Sequence, residues 1–350
     1  MKKRVLIGVG VFFLFVIFVI SWYFIELRPV GKDNTIDFEI KSGTSTANIV
    51  KKLKDQKLIN NELAIKIYIF LNNKDSLQAG NYELNQNMSA KDIIDKIDTG
   101  DVKNDNVTLT FKEGKRFINY INDICTAFGY NQNDILNTLN DKDYLNNLIS
   151  KYWFLTDDIL NSKLYYPLEG YLYPDTYTFK HDATIDDIVT KILDNTDAKL
   201  SPYKDTIAKS NYSIHQLLTL SSIIELEAKT IDDRKGVSGV FDNRLNDNWT
   251  LGSDVTSYYG VHKEMTDAIT QDELNDCNDY NTRSSCVTGL PVGPICNPSI
   301  DAIDATLNPT ASSYYFFVAD SNSKVYFSET ASDQLSVIAT LKSENLWYNY

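Results

Sequence analysis

Residues 214–228 run Ile-His-Gln-Leu-Leu-Thr-Leu-Ser-Ser-Ile-Ile-Glu-Leu-Glu-Ala, and two acids, Glu225 and Glu227, stand inside this apolar stretch. A helix apolar on nearly every side is central to its domain. A carboxylate deprived of water holds its proton more tightly, which makes it a competent general acid near neutral pH. At about 100° per residue the two side chains leave the helix about 200° apart, so they are not expected to serve one substrate as a pair. Ser221 and Ser222 lie one turn before Glu225 on its own face, where small side chains leave a hollow and offer hydroxyls; Ile223 and Ile224 fill the same place before Glu227. The expected proton donor is therefore Glu225, with Ser221 beside the ligand. An ion pair of either glutamate with Arg234 or Arg244 is the structural alternative, since such networks perturb acids too.

Other chemistries find little support. Three histidines (His181, His215, His262) and four cysteines (Cys125, Cys277, Cys286, Cys296) show no CxxC or HExxH spacing, so neither a metal nor a cofactor is expected. No G-x-S-x-G occurs, and His215, without a recognisable serine partner, reads as a helix-start residue. Lys and Arg number 34 against 47 Asp and Glu, a net charge of −13 that would repel a phosphate backbone; nucleic acid is not an expected partner.

Several elements must position the candidate acid. Residues 237–245 form a second helix in which Gly239 permits close packing and which carries Asn243 and Arg244. Residues 251–256, with Ser253 and Asp254, read as a polar turn. Tyr280, Asn281 and Thr282, followed by residues 289–298 with Asn297, make a proline-stiffened loop, and residues 314–319 and 325–327 are two strands of a hairpin. Upstream, residues 166–179 contain Glu169, Tyr171 and Asp175 among two prolines and a glycine that forbid a continuous helix. Aromatic rings stack on sugar faces and carboxylates accept their hydroxyls, so this segment suits carbohydrate; a tyrosine-rich core loop is the alternative.

The amino terminus decides the compartment. Residues 5–25 are apolar except for Gly8, Gly10 and Ser21, a length that at about 1.5 Å per residue covers a bilayer core of about 30 Å. Lys2, Lys3 and Arg4 precede it and Trp22 and Tyr23 stand at its far end, which places the amino terminus inside and the rest outside. No small-x-small step follows Ser21, so an uncleaved anchor is expected over a signal peptide. Outside the cell a disulfide is permitted, and Cys277 and Cys286 close a short loop that admits one without requiring it. A repeat follows: Phe38-Glu-Ile40 and the Ser45-led stretch with Ile49, Val50 and Leu53 match Tyr82-Glu-Leu84 and the Ser89-led stretch with Ile93, Ile94 and Ile97, every position 44 residues apart. Each copy reads as a strand and an amphipathic helix. The expected class is α+β, divided into a cytoplasmic tail and transmembrane helix (1–28), a linker (29–36), a small α+β module (37–103), an intermediate α+β region with the aromatic Pro/Gly loop (104–200) and a mixed α+β catalytic domain (201–350).

In chain order, Leu168-Glu-Gly-Tyr-Leu-Tyr-Pro-Asp-Thr-Tyr177, Ser221-Ser-Ile-Ile-Glu225-Leu-Glu227, Gly239-Val-Phe-Asp-Asn-Arg-Leu245, Ser253-Asp254, Tyr280-Asn-Thr282, Gly289-Leu-Pro-Val-Gly-Pro-Ile295, Asn297-Pro298 and Tyr315-Phe-Phe-Val-Ala319 resemble the endolytic murein transglycosylases, the MltG-like or YceG-like family. The resemblance covers nearly the whole chain and implies that the 37–103 module is LysM-like. It implies a bacterial, single-pass membrane enzyme with its catalytic domain outside the cytoplasm. Such an enzyme cuts the β-1,4 bond between N-acetylmuramic acid and N-acetylglucosamine within peptidoglycan strands and leaves a 1,6-anhydro end. It also implies membrane-bound glycan polymerases as partners, and it carries the catalytic role onto Glu225. The chain departs from the family at Gly252, Val255, Val292, Arg283 and Ser299, none of them expected to touch Glu225. Most glycoside hydrolases need two carboxylates, about 5–9.5 Å apart. A lytic transglycosylase needs one, because the sugar's own C6 hydroxyl replaces water. A hydrolytic muramidase, with Asp254 or Glu169 as second acid, and a non-catalytic wall-binding scaffold are the alternatives.

Overall fold

The structure, a computed structural model, describes residues 2–347 apart from Lys32, Asp75, Asn104 and Asp105. The side chains of residues 2–6 lie outside the described residues, and with them Lys2, Lys3 and Arg4, on which the expected orientation rests. The chain divides into two units, Met1–Asp105 and Asn106–Tyr350.

In the first unit, helix α1 (Lys2–Glu26) contains an unburied apolar span, Ile7–Glu26, long enough to cross a bilayer. Strand β1 (Thr35–Ile40), helices α2 (Thr46–Asp55) and α3 (Glu62–Leu71), strand β2 (Gly80–Asn85) and helix α4 (Ala90–Thr99) follow. Ser45 and Ser89 start α2 and α4 by accepting the otherwise orphaned N–H groups of Asn48 and Asp92. The repeat is physically paired: β1 and β2 run antiparallel with Phe38 opposite Tyr82, the equivalent residues of the two copies. Strand alternation sends Phe38, Ile40, Tyr82 and Leu84 into one core with Ile49, Val50 and Leu53 of α2 and Ile93, Ile94 and Ile97 of α4.

The segment read as a linker, 29–36, and the two residues before it are hydrogen-bonded to this module. The Leu27 carbonyl accepts the Ala90 N–H at 3.0 Å and the Arg28 carbonyl accepts Asn60 Nδ2 at 2.9 Å. Gly31 N–H reaches the Gln86 carbonyl, Gln86 N–H reaches the Asn34 carbonyl, and β1 already begins at Thr35. Polar composition marks the absence of a core here, not the absence of partners for the backbone.

The second unit contains β3 (Val107–Thr110), α5 (Phe117–Phe128), α6 (Gln132–Leu139), α7 (Lys142–Lys151), β4 (Thr176–Phe179), α8 (Ile185–Leu200), α9 (Lys204–Lys209), α10 (Ile214–Glu227), α11 (Ile231–Asn246), α12 (Asp254–Gly260), α13 (Gln271–Leu274), α14 (Ile300–Leu307), β5 (Phe316–Ala319), β6 (Val325–Ser328) and α15 (Ala331–Ser343). The fold is mixed α+β. The hairpin β5–β6 is the one expected; β4, inside the Pro/Gly segment, pairs antiparallel with β3 across an insertion containing α5, α6 and α7, a pairing that no local signal marks. Residues 251–256 do not remain a turn, because Ser253 is the cap position of α12. One core runs from Phe111 and Phe117 through Leu168 and Tyr171 to Leu217, Leu218 and Ile303, so residues 104–200 and 201–350 share it. A second cluster gathers Leu220, Ile223 and Ile224 with Val237, Phe241, Tyr280 and Ile295. Helix α10 contributes to both, which is why every residue from Ile214 to Ile224 except Gln216 is buried.

Candidate active site

Glu225 lies in the last turn of α10, which ends at Glu227 where Ala228 turns extended. Three residues later α11 begins, capped by Thr230, and this tight connection folds Arg234 back over the end of α10. Arg234 donates Nε to the Ala228 carbonyl at 3.0 Å, Nη1 to Ser299 Oγ at 2.9 Å and Nη2 to Glu225 Oε1 at 2.7 Å. Ser299, the cap residue of α14, gives its N–H (3.0 Å) and Oγ–H (2.5 Å) to Glu225 Oε2. The carboxylate thus sits at a helix amino terminus, where the peptide dipoles favour negative charge, and both oxygens have donors. The ion pair with Arg234 is the structural alternative raised by the sequence, and it coexists with an open cleft.

That cleft, about 350 Å³, is lined by Glu225, Glu227, Glu113, Gly114, Ala319 and Ser323, among others. Burial, with the nearby charge of Glu225, pushes the Glu113 carboxyl up. Gly114, at φ 70°, brings backbone where an added Cβ would stand 3.6 Å from Glu225 Cγ. Its N–H donates to the Asn297 carbonyl, and the Asn297 N–H returns to Lys115, so the loop is fastened beside the acid.

Glu225 and Glu227 have different hydrogen-bond partners, Arg234 and Ser299 for the first and Ser253 for the second, and both residues line one cleft. The cleft lies over the end of α10, where Glu225, Leu226 and Glu227 all line it. Glu227 Oε1 accepts Ser253 Oγ at 2.5 Å, and burial pushes its carboxyl up to about 7, aided by the charge of Asp254 and opposed by Ser253 and Arg244. Glu227 and Ala319 also line a second cleft of about 500 Å³, with Arg244, Asp254, Arg283, Phe316 and Trp347. The two clefts share Glu227 and Ala319, and the second adds aromatic rings and two arginines.

The expected substrate contacts divide into two groups. Arg244 and Asp254 line the second cleft; Arg244 Nε donates to the Tyr315 carbonyl, and Asp254 pairs with Arg283. Ser253 reaches Glu227 directly and is fixed by donating its N–H to Thr282 Oγ1, which also bonds Thr256. The others are scaffold. Ser221 is fully buried against Thr306, and Ser222 donates to the Thr219 carbonyl while accepting from Ile295, so the hollow expected beside them is filled by α14 and the proline loop. Glu169 gives both oxygens to the Phe117 N–H and the Tyr259 hydroxyl, and Tyr171 bonds His215, whose other ring nitrogen donates to the Val292 carbonyl. Asp175 serves Asn195 and Lys199; Asn243 donates to the Ser312 and Tyr314 carbonyls. Tyr280 and Asn281 are fully buried, and Asn297 Oδ1 binds the N–H groups of Gly170 and Leu172. Cys277 and Cys286 are joined, which closes the loop that carries Tyr280, Asn281 and Thr282.

Three contributors escaped the sequence reading. Glu113 and Gly114 come from a loop more than a hundred residues upstream of Glu225, with no local signal. Ser299 was expected to stand clear of Glu225 and instead donates to it twice; its cap position before α14 was the available clue.

Comparison with known proteins converges on one group. The sequence model of the YceG-like family matches residues 38–340. The endolytic murein transglycosylase of Bacillus subtilis (strain 168) is 33% identical over 308 residues, covering 87% of this chain and 84% of that protein. Its namesake in Streptococcus pneumoniae serotype 2 is 31% identical over 330 residues, 88% of this chain and 59% of that longer protein. A crystal structure of a yceG-like protein from Listeria monocytogenes superposes with a TM-score of 0.62 at 35% identity, covering 87% of this chain and all of that one. Matched across most of its length by model, sequence and structure, the chain belongs to the YceG-like family.

Proposed function

We propose that this protein is a lytic transglycosylase that cuts peptidoglycan glycan strands at N-acetylmuramic acid–N-acetylglucosamine bonds, held to the membrane by α1 with its second unit outside the cytoplasm. The relatives named endolytic murein transglycosylase support the reaction class. The observation that carries the site is Glu225 at the floor of a cleft closed by the end of α10. An acid gives a proton to the glycosidic oxygen as the C1–oxygen bond breaks. The C6 hydroxyl oxygen then bonds C1, and its proton passes to a carboxylate, so no water is consumed.

In the first reading Glu225 gives the one proton and takes the other, which requires Arg234 to yield as the glycan enters. A second reading is favoured by Glu227, whose carboxyl titrates at about 7 and opens on the same cleft. Here Glu227 gives the proton to the leaving oxygen and Glu225, already an acceptor for Arg234 and Ser299, takes that of the C6 hydroxyl. Arg244 and Asp254 hold the sugar beyond the bond that is cut, and Ser253 holds Glu227 in place. The 37–103 module, LysM-like by resemblance, holds the strand, and membrane-bound glycan polymerases are the partner class.

The deciding experiment digests purified sacculi with the full-length chain in detergent and weighs the products. Anhydro ends, lighter by one water than hydrolytic ends, support the reaction; water-bearing ends make the protein a muramidase, and undiminished glycan length makes it a scaffold. Glu225→Gln should lower the rate at least about 100-fold under either reading. Glu227→Gln separates them, because loss of a kinetic limb near pH 7 together with the rate assigns the proton donor to Glu227.

A further inference from the structure

Helix α3 is apolar on two faces. Ala64, Ile65, Tyr68 and Ile69 close the first unit's core, whereas Leu63, Phe70 and Leu71 stand 59%, 78% and 63% exposed, with Ile67 half-buried between them. Positions 63, 67, 70 and 71 follow the i, i+4, i+7, i+8 spacing of one stripe. Scattered exposed apolar residues are ordinary on a protein surface, but a contiguous row requires a cover.

The attachment of α3 to the end of α1 indicates what that cover is. Asn60, next to the cap residue Asn61, donates Nδ2 to the Arg28 carbonyl at 2.9 Å and accepts Lys54 Nζ on its own carbonyl at 2.5 Å. Toward the other end of α3, Tyr68 belongs to the core on which Tyr23 of α1 packs. The start of α3 is thus tied to the chain just after the apolar helix, and its buried face completes the core that the outer end of that helix joins. Arg28 and Lys54 bring positive charge to the same place, the sign that anionic headgroups attract. Lys66, exposed within the stripe and paired with Glu62, has a long stem that can lie along apolar surface while its charge stays in water.

Resting on the membrane-anchor reading above, we propose that the outward stripe of α3 (Leu63, Ile67, Phe70 and Leu71) is seated in the surface of the bilayer that α1 spans. Its side chains enter the boundary between headgroups and acyl chains, with Arg28 and Lys54 against anionic lipid. The first unit then meets the membrane through two elements, one that crosses and one that lies flat, and its orientation over the surface is fixed.

The test uses the full-length chain reconstituted in phosphatidylglycerol–phosphatidylethanolamine vesicles whose acyl chains are brominated. Phe70→Trp adds an indole at an exposed position, and its emission is read as the difference from the unsubstituted chain; Trp22→Phe reads the anchor in the same way. At the depth of about 5–10 Å typical of interfacial helices, bromination should lower the added emission about twofold while aqueous iodide leaves it nearly unchanged. Quenching of Trp22 without quenching of the added indole, and with iodide access to it, overturns the proposal and leaves the anchor intact. Protection from both quenchers also overturns it, since a second copy or another protein then covers the stripe. No bromine quenching at Trp22 overturns the anchor reading itself.

Discussion

Arg234 Nη2 lies 2.7 Å from Glu225 Oε1, and the two side chains are only 7% and 6% exposed. An ion pair so deeply placed loses hydration that its mutual attraction must offset, and removal of one partner leaves the other as an uncompensated buried charge. Arg234→Leu should therefore destabilise the second unit by about 3–5 kcal/mol, and Arg234→Leu/Glu225→Leu by clearly less. Urea unfolding of both variants checks this, and equal losses would make the pair energetically irrelevant.

Ser299→Gly tests the side chain that bonds both members of this pair. The N–H to Glu225 Oε2 survives, while the hydroxyl to that oxygen, the acceptor for Arg234 Nη1 and the cap on the Ala302 N–H are lost. Stability should fall by about 1–3 kcal/mol, chiefly through the lost bonds to the charged Glu225 and Arg234, with glycan cleavage retained. A variant that folds but no longer cleaves would make the hydroxyl part of the chemistry.

Glu169 is raised from 4.5 to about 8, chiefly by burial. The folded protein then keeps a proton that the unfolded chain has already released between those values. Stability consequently decreases as pH rises from 4.5 to 8, with a slope of at most about 1.4 kcal/mol per pH unit from this group. Glu169→Gln should flatten that slope. Urea midpoints at intervals across this range provide the measurement, and unchanged slopes would remove Glu169 as the cause.

The Cys277–Cys286 bridge closes a loop that supplies Thr282 to Ser253 and, through it, to Glu227. Opening so short a loop should cost about 2–3 kcal/mol. Its second signature is kinetic: the paired serine variant should show a raised KM for glycan and a smaller change in kcat, because the loop orients the second cleft. Unaltered KM would confine the bridge to stability.

Much of this was legible because it is local. Ser45 and Ser89 each announce a helix by the group they can bond three residues on, and the 44-residue repeat marked the two strands whose Phe38 and Tyr82 face one another. The apolar run at Ile214 to Ile224 likewise identified a central helix and its acids. What stayed hidden is non-local. Helix periodicity placed Glu225 and Glu227 on opposite sides, yet a cleft at a helix end admits both, and nothing within α10 foretells where the chain will close over it. The Pro/Gly segment had the composition of a sugar platform, but Glu169 and Tyr171 spend their polar atoms on Phe117, Tyr259 and His215, which only the folded chain brings near.

The face-to-face arrangement of Phe38 and Tyr82 has a consequence for dissection of the molecule. Neither half of the duplicated segment owns a complete sheet: each lends the other its hydrogen-bonding edge and half of the shared interior. A truncation between the halves would strand one bare edge and one uncovered apolar helix. The smallest excisable piece that keeps its shape must span both, and the two halves should melt together in a single transition.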